Sequence, residues 1–198
     1  MATFRHPDGQ AHRPEIWLVR HGQTEWSRDG KHTSSTDLPL TPDGERAARS
    51  LAPKLADAAF DLVLSSPRRR ARVTAQLAGF APEIDDDLRE WDYGEYEGIT
   101  TPQIRETDPG WSLWTDGAPG GERPEDVEAR VDRLIERLRS APGERVLVFA
   151  HGHILRVVAA RWTGWPVAAG GHLRLDTATV SVLGWERETP AIHRWNAP

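Results

Sequence analysis

The chain holds 198 residues, 38% apolar and 28% charged, with a formal net charge of −5 and no cysteine. At roughly 100–200 residues per domain this length suits one compact domain with a sizeable core. The mild acidity supplies no general attraction to nucleic acid or to an anionic membrane, and the missing thiols exclude disulfides, zinc–thiolate sites, iron–sulfur clusters and thiol catalysis. No run of about 18 apolar residues occurs that could span a bilayer. The opening MATFRHPDGQAHRP has no apolar stretch of the kind a secretory signal needs. Cytoplasmic residence is the expectation.

Residues 1–14 mix His, Pro, Gly, Asp and Arg without periodicity and are expected to form a flexible tail ahead of one domain over 15–198. Ile16-Trp17-Leu18-Val19 is a short bulky apolar run, the pattern of a buried strand, and a loop follows. Thr41-Pro42-Asp43-Gly44-Glu45 has the composition of a helix start, with Thr41 as N-cap and Pro42 in the first turn. Ala47, Ala48, Leu51, Leu55 and Ala58 continue at helical spacing. Leu62-Val63-Leu64 predicts a second strand, and Ser65-Ser66-Pro67 is expected to open a helix through about Leu77. Pro124 to Arg139 carries Val127, Val131, Leu134, Ile135 and Leu138 on one helical stripe. Val146 to Ala150 is the clearest buried strand, and a helix to about Trp162 follows it. Alternating stretches near 172–185 and 190–195 suggest edge strands, which could pair across a homodimer.

Strands alternating with amphipathic helices predict an α/β fold, a three-layer α/β/α sandwich with a mostly parallel central sheet. Ligands in such sheets sit beyond the carboxyl ends of the strands. Arg20-His21-Gly22, Ser65-Ser66 and His151-Gly152 each follow a predicted strand at that end, so three polar loops converge on one rim. The Gly-, Pro- and Trp-rich stretch 98–123 reads as an insertion over it.

Chemistry suggests roles for residues on this rim. A guanidinium offers a planar fork matched to phosphate oxygens, and a neutral imidazole is a competent nucleophile near neutral pH. Gly22 removes a side chain, which would let a phosphoryl group approach the backbone. His151 supplies another possible cation. Of the run Arg68-Arg69-Arg70-Ala71-Arg72, one arginine turned back toward the rim would be useful and the others would be solvated. Glu90 lies among several acids in residues 88–98. A carboxyl crowded by Trp91 and Tyr93 is a candidate general acid, a role that desolvation favours.

Five motifs, in order and spacing, resemble the histidine phosphatase (phosphoglycerate mutase-like) superfamily. They are Arg20-His21-Gly22-Gln23-Thr24-Glu25-Trp26-Ser27, Asp37-Leu38-Pro39-Leu40-Thr41-Pro42-Asp43-Gly44, Ser65-Ser66-Pro67-Arg68-Arg69-Arg70-Ala71-Arg72-Val73-Thr74-Ala75, the segment 88–98, and His151-Gly152. Together they cover about 15–185. Arg89-Glu90-Trp91-Asp92-Tyr93-Gly94 is similar to the branch of small, broad-specificity sugar-phosphate phosphatases that includes sedoheptulose-bisphosphatase-like enzymes. The resemblance implies a phosphomonoesterase working through phosphohistidine. His21 would attack phosphorus, Arg20, Arg70 and His151 would hold the equatorial oxygens, and Glu90 would protonate the leaving oxygen and then activate water. It also implies substrate contacts from Ser27, Thr33, Ser34 and Tyr93, while His153 either reaches the pocket or caps the following helix.

Three positions depart from the pattern. Ser27 stands where the family often has Asn, Ser34 where Gly usually follows Thr33, and Arg123 where a helix-capping Ser is common. Ser34 would be strained if its position needs a positive φ, and would otherwise be an added donor. A phosphoglycerate mutase-type phosphotransferase would use the same core residues. Mutases, however, tend to carry a longer basic insertion before the second His-Gly, and here that interval is short. A non-enzymatic phospho-ligand module would lack the nucleophile or the acid, yet both are present. His151 and His153, two apart on a strand-to-helix turn, need not converge on a metal, so neither metal nor cofactor is implied. The expected partner is a small-molecule phosphate ester.

Overall fold

A computed structural model describes residues 13–198. Of the expected tail, residues 1–12 lie outside the described residues. Pro14 belongs to the fold: it is buried, and its carbonyl accepts a hydrogen bond from Trp185 Nε1 at 3.2 Å.

In chain order the elements are β1 (Glu15–Arg20), α1 (Glu25–Asp29), α2 (Pro42–Arg49), α3 (Leu51–Leu55), β2 (Leu62–Ser65), α4 (Arg69–Leu77), β3 (Glu83–Ile84), α5 (Thr101–Thr107), α6 (Leu113–Asp116), α7 (Pro124–Ser140), β4 (Arg145–Ala150), α8 (Gly152–Trp162), β5 (Val180–Glu186) and β6 (Thr189–Ala197). They form one six-stranded sheet in the order β3-β2-β4-β1-β5-β6. The four strands β3, β2, β4 and β1 are parallel, while β5 and β6 pair antiparallel. Side chains alternate across the sheet and build two cores. Ile16, Leu18, Val146 and Val148 pack under the stripes of α7 and α8. Val19, Leu147 and Phe149 pack against Leu51, Leu55 and Ala75 on the other face. These are the three layers.

The long α2–α3 pattern is a single expected helix that the chain breaks at Ser50. Pro53 supplies no N–H to the carbonyl of Arg49 and its ring crowds that carbonyl, so the helix divides. Thr41 does cap α2, accepting from Gly44 N–H at 3.0 Å. Helix α4 starts at Arg69, later than the Ser-Ser-Pro pattern suggests, because Ser66 N–H still extends the sheet ladder to Phe149 O at 2.9 Å. The expectation of two edge strands near the C-terminus also needs correction. Residues 172–179 form no strand, β5 lies inside the sheet between β1 and β6, and of these two strands β6 alone is an edge.

The register places the site. Arg20 pairs with Ala150 and Ser65 with Phe149, so β1, β4 and β2 end level and their next residues emerge side by side. At a strand spacing of about 4.8 Å, His21 and His151 must be neighbours. Their ring centroids are 5.2 Å apart.

Candidate active site

A cavity of ~230 Å³ opens at this sheet end, with Arg20, His21, Glu90, Tyr93, Gly152 and His153 in its lining. His21 is 5% exposed, and its Nδ1 lies 2.7 Å from Gly22 O. A carbonyl can only accept, so Nδ1 carries the proton and Nε2 keeps a lone pair. Burial, then the charges of Arg70 and Arg20, hold His21 well below the usual histidine range, so the ring is neutral at pH 7.

Arg20 lies beside it. One Nη donates to Leu175 O, while Nε is buried without a partner. An unpaired buried donor is costly, and an anion in the cavity would satisfy it. A Cβ on Gly152 would stand 3.2 Å from Arg20 Nε and Cζ, so the bare α-carbon leaves room for the guanidinium against the start of α8. The turn after Leu175 closes the other side: Ala178, at φ +55°, donates its N–H to Arg20 O at 3.0 Å.

Arg70 is fully buried and donates four of its five N–H groups: Nε to His151 Nδ1, Nη1 to Thr36 O, and Nη2 to Thr33 O and Ser34 O. It stands behind the cavity lining rather than in it. Because a guanidinium cannot accept, Nδ1 of His151 is the acceptor and its Nε2–H donates to Ser66 Oγ at 2.7 Å. Burial and then Arg70 push His151 well below the usual range. The expectation of a second imidazolium is therefore corrected: His151 is a neutral donor.

Glu90 is 7% exposed, and three backbone N–H groups donate to it: Ile154 at 2.8 Å and Trp91 at 3.0 Å to Oε1, and His153 at 3.0 Å to Oε2. It thereby caps α8, whose N-terminus favours a carboxyl group. The role of helix cap foreseen for His153 falls to Glu90. The His153 ring instead faces the cavity, 2.6 Å from the Tyr93 hydroxyl. Burial raises Tyr93 well above the usual phenol range, so the phenol keeps its proton and donates to Nδ1. His153 is itself lowered well below the usual range by desolvation and Arg156, so its 3.9 Å approach to Glu90 is no ion pair.

The remaining expected residues divide. Thr33 and Ser27 line the cavity, but the Ser27 hydroxyl receives Thr24 N–H at 2.8 Å and donates to Thr24 O at 3.0 Å. Ser34 has no positive φ and is unstrained. Its hydroxyl donates to Glu97 Oε2 at 2.6 Å, away from the main cavity. Gly22 also needs a corrected reason. Its missing Cβ would sit 2.5 Å from Gly44 O, so the glycine serves loop packing rather than ligand approach. Arg123 loses only a cap contact; Asp126 Oδ2 accepts its N–H at 3.0 Å.

Several residues were not singled out from sequence. Thr74 Oγ1 accepts Gly22 N–H at 2.9 Å and donates to Arg70 O at 2.7 Å. The Glu97 carboxylate gathers the N–H groups of Ser34 and Thr36. Half-burial pushes it up, but these hydrogen bonds outweigh that and hold it below the usual range. It fixes the 33–36 loop whose carbonyls hold Arg70. Lys31, His32, Thr101 and Arg156 also line the cavity. Trp111 and Trp114 stand behind the lining, with Trp111 5.6 Å from His32 and Trp114 5.3 Å from His153.

A nucleophile-competent imidazole, a guanidinium with an unpartnered Nε and a carboxyl group thus share one cavity. The sequence profile of the histidine phosphatase superfamily (branch 1) matches residues 16–198. The chain belongs to that superfamily. It is 42% identical over 175 residues to an acid phosphatase of Mycobacterium tuberculosis, covering 86% of each chain. It is also 38% identical over 184 residues to a sedoheptulose 1,7-bisphosphatase of Saccharomyces cerevisiae, covering 76% of this chain and 68% of that one. Among solved structures, an open reading frame product of Mycobacterium tuberculosis superposes with a TM-score of 0.89 at 38% identity, covering 93% of this chain and 97% of that one. A mycobacterial glucosyl-3-phosphoglycerate phosphatase complexed with VO3 gives 0.83 at 28% identity, covering 93% and 100%. The phosphoglycerate mutase-like α/β architecture is shared with these relatives. Among the described residues no helix is long and apolar enough to cross a membrane.

Proposed function

We propose that this superfamily member hydrolyses phosphate monoesters of small metabolites, sugar phosphates in the first instance, through phosphohistidine at His21. The observation that carries this is the fixed tautomer of His21, whose Nε2 lone pair stands in the same cavity as Arg20 and Glu90. The Nε2 lone pair attacks phosphorus and the P–O ester bond breaks in line. The leaving oxygen takes its proton from Glu90. The positive charge that develops on the ring is relieved through Nδ1–H and the carbonyl of Gly22. Arg20, through its unpaired Nε, holds an equatorial oxygen where charge gathers, and His151 reaches another by turning its Nε2–H from Ser66 Oγ to the phosphoryl group. Arg70 adds field and one remaining N–H, and above all it orients His151. Water then attacks phosphorus, Glu90 takes its proton, the P–N bond breaks and phosphate leaves.

Hydrolysis is favoured over mutase chemistry because the 98–123 segment contributes no basic side chain to the cavity; of its residues only Thr101 lines it. A small phosphorylated metabolite as substrate supports a cytoplasmic setting. The test is phosphate release from p-nitrophenyl phosphate and 3-phosphoglycerate, with acid-quench trapping of phosphoenzyme. Wild type should release phosphate, and His21→Ala should lose turnover by about 10⁴-fold or more together with the phosphoenzyme. Isomerised phosphoglycerate with negligible free phosphate would overturn hydrolysis. Persistent phosphoenzyme in His21→Ala would overturn the nucleophile.

A further inference from the structure

Arg20 is aimed by a turn. One Nη donates to Leu175 O, and because the guanidinium is planar that bond also fixes where the unpartnered Nε faces. Three residues on, Ala178 donates its N–H to Arg20 O at 3.0 Å. The 174–178 turn thus grips the arginine by both side chain and backbone. Whatever holds the turn sets the direction of the fork.

The turn is held from the edge strand β6. Val180 pairs with Ala197 and Val182 with Arg194, an advance of two residues along β5 against three along β6, so β6 carries a bulge. Bulges re-aim side chains and recur beside active sites. Asn196 lies in this one at φ +54°, a left-handed conformation that asparagine tolerates better than most residues. Its N–H donates to the buried Ser181 Oγ at 3.0 Å. Its side chain turns to the 174–178 segment, where Oδ1 accepts Asp176 N–H at 2.7 Å and Nδ2 donates to Asp176 Oδ2 at 2.9 Å. A backbone N–H can only donate and a carboxylate can only accept, so the two bonds together require this amide orientation. The bond from Asn196 holds Asp176 below the usual carboxylate range against an opposing effect of desolvation, so the group is ionised at pH 7. Trp195 Nε1 adds a bond to Arg174 O at 2.6 Å, and the Thr179 hydroxyl donates to Asp176 O at 2.8 Å.

We propose that Asn196 and Asp176 are a positioning pair for Arg20: the bulge of β6 fixes the 174–178 turn, and through Leu175 O it aims the guanidinium at the phosphoryl group on His21. The proposal rests on the phosphomonoesterase reading above. It is tested by kcat and KM for p-nitrophenyl phosphate, the dissociation constant of inorganic phosphate by calorimetry, and the thermal midpoint of each variant. Asn196→Asp sets a second carboxylate against Asp176 and should cut kcat/KM by about 10–100-fold, with a like loss in phosphate affinity, because the fork is misaimed. Asp176→Asn keeps an oxygen for Asn196 Nδ2 and should lose no more than about threefold. Combining Asp176→Asn with Asn196→Asp exchanges donor and acceptor, re-forms both bonds and should return activity to within about threefold of wild type.

If Asn196→Asp fails to fold, Asn196→Ala removes both side-chain bonds and carries the same expectation. A lowered thermal midpoint with kcat/KM and phosphate affinity within about twofold of wild type makes the pair an anchor for β6 alone and overturns the proposal. A double variant no better than Asn196→Asp overturns it as well. Failure of wild type to hydrolyse p-nitrophenyl phosphate overturns the phosphomonoesterase reading, while the phosphate affinities of the variants still decide the pair. A wild type that also fails to bind phosphate overturns both.

Discussion

Arg70 Nε donates to His151 Nδ1 at 3.1 Å, and neither side chain reaches solvent. This one hydrogen bond settles the charge state of the second histidine, since a protonated Nδ1 would point a proton at a donor. Its consequence reaches the rate profile. If catalysis required imidazolium at His151, activity would need acidic solution; with both histidines neutral it does not. His21 gains its proton only well below the usual histidine range, so kcat/KM should hold as pH falls through 6.5. The measurement is kcat/KM for p-nitrophenyl phosphate from pH 8 to 4, corrected for the substrate's own ionisation. An acid-side loss with its midpoint at 6.5 or above would contradict a depressed His21.

If Glu90 is the proton donor to the leaving oxygen, as proposed, its importance must depend on how much help that oxygen needs. Glu90→Gln keeps an acceptor for the amides that start α8 but carries no transferable proton. Its kcat/KM, which reports cleavage of the ester rather than hydrolysis of phosphohistidine, should fall by about 10²–10⁴-fold on an alkyl phosphate and far less on p-nitrophenyl phosphate, whose phenolate leaves unaided. Equal losses on both esters would leave Glu90 as the cap of α8 alone. A thermal midpoint near wild type would confirm that the capping contacts survive the change.

Much of this was legible in the sequence because the signals are local. Ile16 to Val19 and Val146 to Ala150 read as strands since burial on both faces demands unbroken apolar runs. The α7 stripe and the Thr41 cap are likewise fixed by neighbours three and four residues away. Residues 180–184 are buried without alternation, yet sequence alone could not place β5 inside the sheet, because the strand that covers its outer edge follows in chain order. In the site, His21, His151 and Glu90 could be named from their motifs; the strand register explains why the two histidines meet, and the amides at the start of α8 hold Glu90 in the same cavity. The charge state of His151 could not, because it is set by Arg70, and Arg70 is set by backbone carbonyls that any sequence would provide. Glu97 looked like one more acid in an acidic stretch. Its role comes from amides at Ser34 and Thr36, more than 60 residues away in the chain.

Gly22 gives a direct test of packing against ligand access. A methyl group there would lie 2.5 Å from the carbonyl oxygen of Gly44, and Gly44 in turn has no room for a Cβ against Gln23. Gly22→Ala should therefore destabilise the protein by roughly 1–3 kcal/mol or more, the cost of overpacking a site where backbone must move. Urea unfolding of the ligand-free protein measures this. Normal stability combined with lost turnover would instead assign the glycine to substrate approach.

Four histidines near the site are buried or partly buried without charge, and folding must keep them so. Desolvation lowers His21, His151 and His153 well below 6.5, and lowers His32 to about 4. In the unfolded chain each would take up a proton near pH 6.5. Below that value the unfolded state binds more protons than the native one, so stability rises with pH and drains away as the solution is acidified. Each such histidine contributes a slope of up to ~1.4 kcal/mol per pH unit. For His32 the window runs from about 6.5 down to about 4. Urea midpoints should thus fall steeply between pH 6.5 and 5, and His32→Gln should flatten the slope by one histidine's share. A ligand-free stability that is level across this range would mean the rings are solvated enough to titrate normally in the folded state.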